Sequence, residues 1–248
     1  MTVALAQEWQ LSLMGSWLLQ RGSTTMKVAI REQRLIACVA LLGCRRRSFL
    51  SGLLWPKSNE KQAAGNLRTS VWCITHSFPN LLQTTPVTLE LHESVQVDVS
   101  ALRQHLQTLH EDPGLLAPDS YLDHLGRADL LPGWYDDWVL FEQERLRQLR
   151  LDALEEVGRR YLAANDTGRA VLAALTAVSI EPLRESAQFL LIQAHMAAGN
   201  RAAAVRAYTT FANRLDEELG VQPSDKLADL MSTFHPRREC PGTFSAGR

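Results

Sequence analysis

The sequence predicts a mainly α protein with a small β component, built in two parts. Three observations predict it. Residues 32–78 show three closely spaced helical segments with apolar residues at helical spacing. Period-two stretches flank them on both sides. From residue 139 onward the chain repeats itself at an interval of 34 residues.

The front part opens with Trp9, Leu11 and Leu13 in alternation, a break at Gly15, and a turn signal at Arg21-Gly22-Ser23. Met26, Val28 and Ile30 alternate again, so a small antiparallel sheet of two or three strands is expected ahead of the helices. A first helix over 32–42 places Leu35, Ile36, Val39 and Leu42 inward and stops at Gly43. Arg45, Arg46 and Arg47 follow as a basic turn. A short helix over 48–55 carries Phe49, Leu50, Leu53 and Leu54, and Pro56 ends it. A polar loop leads to a third helix from Gln62 to about Phe78. After it, Val87, Leu89, Leu91, Val95 and Val97 alternate, with His92-Glu93-Ser94 read as the turn of a hairpin. Three helices followed by a hairpin make a winged helix-turn-helix.

The third helix has two faces. Leu67, Val71, Ile74 and Phe78 stack on one side. Gln62, Gly65, Thr69, Trp72, Cys73 and His76 point the other way, with Asn66 and Arg68 on the flanks. The major groove of DNA admits a helix and offers base edges to amides, guanidinium groups and apolar contacts. An ordinary amphipathic helix with a solvated outer face has the same pattern, so the remainder of the chain has to decide between the two.

Charge helps to decide. Residues 1–97 hold 10 Lys and Arg against 5 Asp and Glu, while the rest holds 16 against 22. The formal net charge of −1 therefore hides a front part at +5 and a back part at −6. A basic module attracts phosphates and an acidic one does not.

In the back part, residues 98–110 read as a helix started by Asp98 or Ser100, with Leu102, Leu106 and Leu109 inward. Residues 111–133 form a Pro-, Gly- and Asp-rich connector with a short helix near 121–125. Trp134, Tyr135 and Trp138 are expected to dock that connector onto the helices. A long helix over 139–164 follows. Leu162-Ala163-Ala164 and Met196-Ala197-Ala198 lie 34 residues apart, as do Ala170-Val171 and Ala204-Val205, and Val157 and Leu191. This is tetratricopeptide spacing, in which small alanines let paired helices approach closely. About three stacked helix pairs are expected, with a disordered tail after residue 234. The domain boundaries read from the sequence are 1–97, 98–233 and 234–248.

Composition excludes several function classes. Apolar content of 46% and charged content of 21% fit a globular protein, and no apolar run approaches the roughly 18 residues of a membrane helix. Gln7, Glu8 and Gln10 stand where a signal peptide would need an apolar core, so a cytoplasmic protein is expected. Four cysteines are scattered without a CxxC pair, which points to reduced thiols and no metal site. There is no P-loop, GxSxG, HExxH or GxGxxG. The seven histidines have no partner cluster. No catalytic residue, cofactor or metal is expected, and the chain reads as a non-enzyme.

The order of elements becomes specific at Leu54-Trp55-Pro56, Ala63-Ala64-Gly65-Asn66-Leu67-Arg68, Val97-Asp98-Val99 and Leu131-Pro132-Gly133-Trp134-Tyr135-Asp136-Asp137-Trp138-Val139. These segments resemble the antibiotic-regulatory-protein type of bacterial transcriptional activator, over roughly residues 9–231. That family joins an OmpR-like winged helix to a helical bacterial transcriptional activation domain. The resemblance implies binding to direct repeats near a promoter, recruitment of RNA polymerase and self-association on double-stranded DNA. Carried onto this sequence, it makes Gln62, Asn66, Thr69, Trp72 and His76 the base-facing candidates. Arg45, Arg46, Arg47 and Lys61 become phosphate candidates. Arg68 matches the family's Leu-Arg pair, as a phosphate contact or a structural bridge.

Two departures favour an alternative. A second Leu-Arg of the family is Ile74-Thr75 here, and the expected hairpin tip offers Glu90, His92 and Glu93. Acidic groups there would repel phosphate. The alternative is a tetratricopeptide-type interaction adaptor whose winged helix has weak or lost DNA binding.

Overall fold

The computed structural model describes residues 8–111, 122, 125–126 and 129–232, the side chains of 105 and 110 aside. Contacts divide the chain into two compact units, Met1–Leu115 with Arg127–Gln148, and Leu116–Gly126 with Leu149–Arg248.

The first unit begins with β1 (Trp9–Ser12), β2 (Leu18–Arg21) and β3 (Thr24–Thr25). Strict alternation buries Trp9, Leu11 and Leu13 on one face. Helix α1 (Ile30–Leu42) ends at Gly43, whose φ of +72° disfavours any residue with a Cβ. Its buried residues Leu35, Ile36, Cys38 and Val39 form the floor of the unit. Strand β4 (Arg45–Arg46) runs straight into α2 (Arg47–Leu54). Helix α3 (Glu60–Ser77) starts at Asn59, whose side chain accepts from Gln62 N at 2.9 Å. Strands β5 (Leu82–Thr84), β6 (Thr88–Leu91) and β7 (Gln96–Val97) follow, then α4 (Asp98–Glu111).

The strands form two sheets, ordered β3-β2-β1-β7 and β4-β6-β5. Trp9 ties the first sheet to the end of α3. Its ring meets Phe78 edge-on at 5.9 Å, and its Nε1–H donates to the Pro79 carbonyl at 2.9 Å. Asp98 opens α4 but spends its carboxylate on the backbone N–H groups of Leu13 and Met14, at 2.9 Å each, stapling helix to sheet.

Four sequence expectations are corrected here. The segment around Met26 is not a strand: β3 stops at Thr25, and Ile30 already opens α1. Arg45 and Arg46 are not a turn but pair with Leu89 and Thr88. The hairpin turns at Thr85-Pro86-Val87, not at His92-Glu93-Ser94. Thr85 Oγ1 accepts from Thr88 N at 2.8 Å to close that turn, and β7 leaves the hairpin to pair in parallel with β1. Finally, Trp138 is buried at 8% and Trp134 is half-buried, but Tyr135 is 80% exposed and docks nothing.

Helix α5 (Asp137–Ala163) supplies its first turns to the first unit and the remainder to the second. The second unit continues with α6 (Thr167–Ile180), α7 (Glu185–Ala197), α8 (Arg201–Leu219) and α9 (Asp225–Ser232). The 34-residue repeat is conformational as well as chemical. Asn165 (φ 59°) and Gly199 (φ 75°) occupy equivalent left-handed positions, and the next residues, Asp166 and Asn200, are the N-caps of α6 and α8. Ala170 and Ala204 are both fully buried, so α6 and α8 are each apposed through a methyl group. Phe211 fills the centre of a cluster with Ile192, Ala204, Leu215, Leu227 and Met231. Residues 122 and 125–126 are helical; the rest of the predicted connector helix, and the predicted disordered tail, lie outside the described residues. Among the described residues no helix is long and apolar enough to cross a membrane.

Candidate nucleic-acid interface

The candidate surface lies on the first unit and is built from α3, β4 and the β5–β6 wing. The apolar side of α3 holds the helix in place: Ala63, Leu67, Val71 and Ile74 are buried, and α1 and α2 pack against it. This leaves its opposite side in solvent, where Lys61, Gln62, Arg68, Thr69, Trp72 and His76 are all exposed.

These side chains differ in how free they are. Trp72 is 61% exposed, and His76 stacks beside it with centroids 4.2 Å apart. His76 Nδ1 lies 2.8 Å from the Trp72 carbonyl, so the two rings form one preset aromatic step. Such an exposed pair gains little by staying in water and suits stacking or thymine-methyl contact. Thr69 Oγ1 donates back to the Gly65 carbonyl at 3.1 Å, which leaves its methyl group and lone pairs for a partner. Arg68 makes no hydrogen bond or ion pair with the described residues.

Asn66 is different. It is half-buried, and Arg31 Nη2 donates both to its backbone carbonyl at 2.8 Å and to its Oδ1 at 3.1 Å. The Arg31 guanidinium also lies over the Trp55 ring, 5.4 Å from its centroid. Arg31 gives no sign in the sequence: it falls just ahead of the helix read over 32–42, where nothing marks a partner on another helix.

The three arginines also separate. Arg45 and Arg46 are exposed on β4, with Arg45 Nη1 donating to the Cys44 carbonyl at 2.9 Å. Arg47 is half-buried and clamps the wing turn: its Nε donates to the Thr85 carbonyl and its N–H to the Val87 carbonyl, both at 2.9 Å. The wing tip is Thr85, Pro86 and Val87, with Val87 59% exposed. It carries no acidic group, so the repulsion expected from Glu90 and Glu93 is absent from the tip. Proline at the turn is the signal in the sequence that marks it. Behind the surface, burial pushes the Cys38 thiol up to about 12, against the pull of Arg34 and Arg45, so it stays a neutral part of the core. Among the described residues no cluster of His, Cys, Asp and Glu could hold a metal.

Comparisons with known proteins fall on both units. Residues 125–234 match the family model of the bacterial transcriptional activator domain. The fold is similar to a solved structure of Mycobacterium tuberculosis EmbR in complex with a low affinity phosphopeptide, at a TM-score of 0.71 and 15% identity. That match covers 92% of this chain and 65% of the other, so the chain spans about two thirds of that protein's length. No curated protein sequence matches the chain.

Proposed function

We infer, from the match of residues 125–234 to the bacterial transcriptional activator domain and the winged helix-turn-helix of the first unit, that the chain is a transcriptional activator of the antibiotic-regulatory-protein type whose first unit binds double-stranded DNA through α3. The observation that carries this reading is the outer side of α3. A helix wedged by four buried apolar residues presents Gln62, Thr69, Trp72 and His76 to solvent, with exposed cations at Lys61 and Arg68 and on β4 at Arg45 and Arg46. In this reading residues 1–97 bind DNA and residues 98–233 carry activation, the latter rooted in the first unit by α4 and the first turns of α5. Protomers sit side by side on direct repeats near a promoter, and the bound assembly recruits RNA polymerase. The excess of positive charge is modest, so one protomer binds weakly and self-association on DNA supplies the remaining affinity.

The test is a fluorescence anisotropy titration of the full chain on duplex DNA at two salt concentrations. Binding should weaken steeply with salt, and Arg45→Ala with Arg46→Ala should reduce that slope by about 2, one for each phosphate no longer neutralised. No binding at low salt would instead support the adaptor reading, in which the repeats alone act.

A further inference from the structure

Asparagine reads adenine in a major groove by using both ends of its amide: Oδ1 accepts from the N6 amino group while Nδ2 donates to N7. At Asn66 one end is already taken. Arg31 can only donate, so the amide end it meets must be the oxygen, which fixes the orientation of the group. The same Arg31 Nη2 holds the Asn66 carbonyl, and the guanidinium is braced over Trp55. The Asn66 side chain is therefore gripped at its acceptor end by a residue of α1. Its Nδ2 has no partner among the described residues, yet it is not among the unpaired side-chain atoms closed off from solvent. What Asn66 offers outward is an N–H donor pair, beside an Oδ1 with one of its two lone pairs already committed to Arg31.

We propose that Arg31 is a specificity-determining residue: by engaging Oδ1 and fixing the orientation of the amide it shifts the preference of Asn66 from adenine towards guanine. Guanine places two acceptors, O6 and N7, side by side and matches an outward NH2. Adenine sets its own N6 donor next to N7, and an Oδ1 that already gives one of its two lone pairs to Arg31 is a poorer, orientation-restricted acceptor for it. This rests on the reading of α3 as the helix that enters DNA. Arg31 itself need not touch a base; it acts through Asn66 and is a positioning residue.

The experiment is selection of bound sequences from a random duplex pool by the full chain, by Arg31→Met and by Asn66→Asp. Asn66→Ala marks the base pair that Asn66 contacts, as the position whose preference it erases. The wild-type chain should prefer guanine there. Arg31→Met keeps the side-chain bulk but frees Oδ1, and adenine should rise at that position alone, by about fivefold or more over the wild-type preference. If Arg31→Met does not fold, Asn66→Asp still tests the idea. A carboxylate keeps the Arg31 interaction but has no N–H, so the guanine preference should vanish and cytosine, which donates from N4, should gain. A wild-type preference for adenine at that position, or motifs left unchanged by these variants, overturns the inference while leaving DNA binding intact. A wild-type chain that enriches no sequence and shows no salt-dependent binding overturns the DNA-binding reading and this inference with it.

Discussion

The two units solve the same packing problem with different chemistry. In the first, a helix-turn-helix, two small sheets and the root of α5 meet at irregular angles, and helix ends are left with carbonyls that no neighbour continues. Arginine reaches them. Arg34 donates to the Leu54 carbonyl at the end of α2 at 3.2 Å, and Arg103 donates to the Leu41 carbonyl at the end of α1 at 3.1 Å. Both sit where the helix dipole favours a cation. Each also reaches an acid beside α5: Arg34 pairs with Asp136, and Arg103 with Glu142 at 3.0 Å. In the second unit, helices stack side by side through alanine. Ala170, Ala173, Ala174, Ala177, Ala187, Ala194 and Ala204 are all fully buried. Arg150 holds the Leu125 carbonyl at 2.8 Å there, and Arg184 pairs with Asp152 and Glu155 of α5 at 2.6 Å each, but the faces of the stacked helices meet through alanine methyls. Arginines that cap helix-end carbonyls join the unlike elements of the first unit, and small side chains let the like elements of the second approach closely.

The largest effect should come from breaking the apolar stack. Phe211 is 1% exposed and lies in one cluster with five other buried residues of α7, α8 and α9. Phe211→Ala should cost about 3–5 kcal/mol through the burial it forfeits and the cavity left behind. Hydrogen exchange should show α7–α9 losing protection while α1–α3 keep theirs. Equal loss in both units would mean that they unfold together and that the comparison has no energetic content.

A smaller effect should come from the arginine clamps. The Glu142 side chain is 4% exposed, and its close partner is Arg103; Arg145 stands at 3.7 Å and is itself 60% exposed. Arg103→Leu leaves the carboxylate with the weaker partner and takes the arginine away from the Leu41 carbonyl. The cost should be about 1–3 kcal/mol in urea unfolding, below that of a fully buried broken pair because Arg103 is partly solvated. Adding Glu142→Leu should recover much of the loss, since two apolar residues can replace a buried pair. A double variant as unstable as the sum of its parts would show that the clamp acts through packing and not through charge.

This difference also explains what can be read without coordinates. The helices of the first unit and the outer side of α3 are legible because apolar spacing, Gly43 and Pro56 are local signals. The repeat is legible because self-similarity at a fixed interval is written directly in the chain: Asn165 and Gly199 even share a left-handed backbone. The clamps are not legible. Arg31 to Asn66, Arg34 to Asp136 and Arg103 to Glu142 join residues far apart in sequence, and an arginine on a helix looks the same whether it points to water or to a carbonyl. Strand pairing is hidden for the same reason. Nothing near Arg45 announces Leu89, and nothing near Val97 announces Leu11, so sequence alone folds the wing at the wrong turn. Tyr135 reads as an anchor only because it stands between two tryptophans that are at least partly buried.

The smallest expected effect separates the units by pH. His195, on α7, has a buried Nδ1 with no hydrogen-bond partner. Burial first, and the nearby Arg206 second, push its pKa below the ordinary histidine value. Above the ordinary value of about 6.5 the ring is neutral whether the chain is folded or not, and it contributes no pH dependence. As pH falls through that value the unfolded chain takes up a proton that the folded chain resists. Stability is therefore lost from about pH 6.5 downward, until the native ring also titrates. Subtracting the pH profile of His195→Leu from that of the wild type isolates this one group from the carboxylates. The difference should be flat above neutrality and should grow below it, as a loss of hydrogen-exchange protection in α7 and α8. A difference of opposite sign would mean that the native ring holds its proton more tightly than the unfolded one. Nδ1 would then serve a partner as a donor, a further polar tie in the second unit beside those of Arg150 and Arg184.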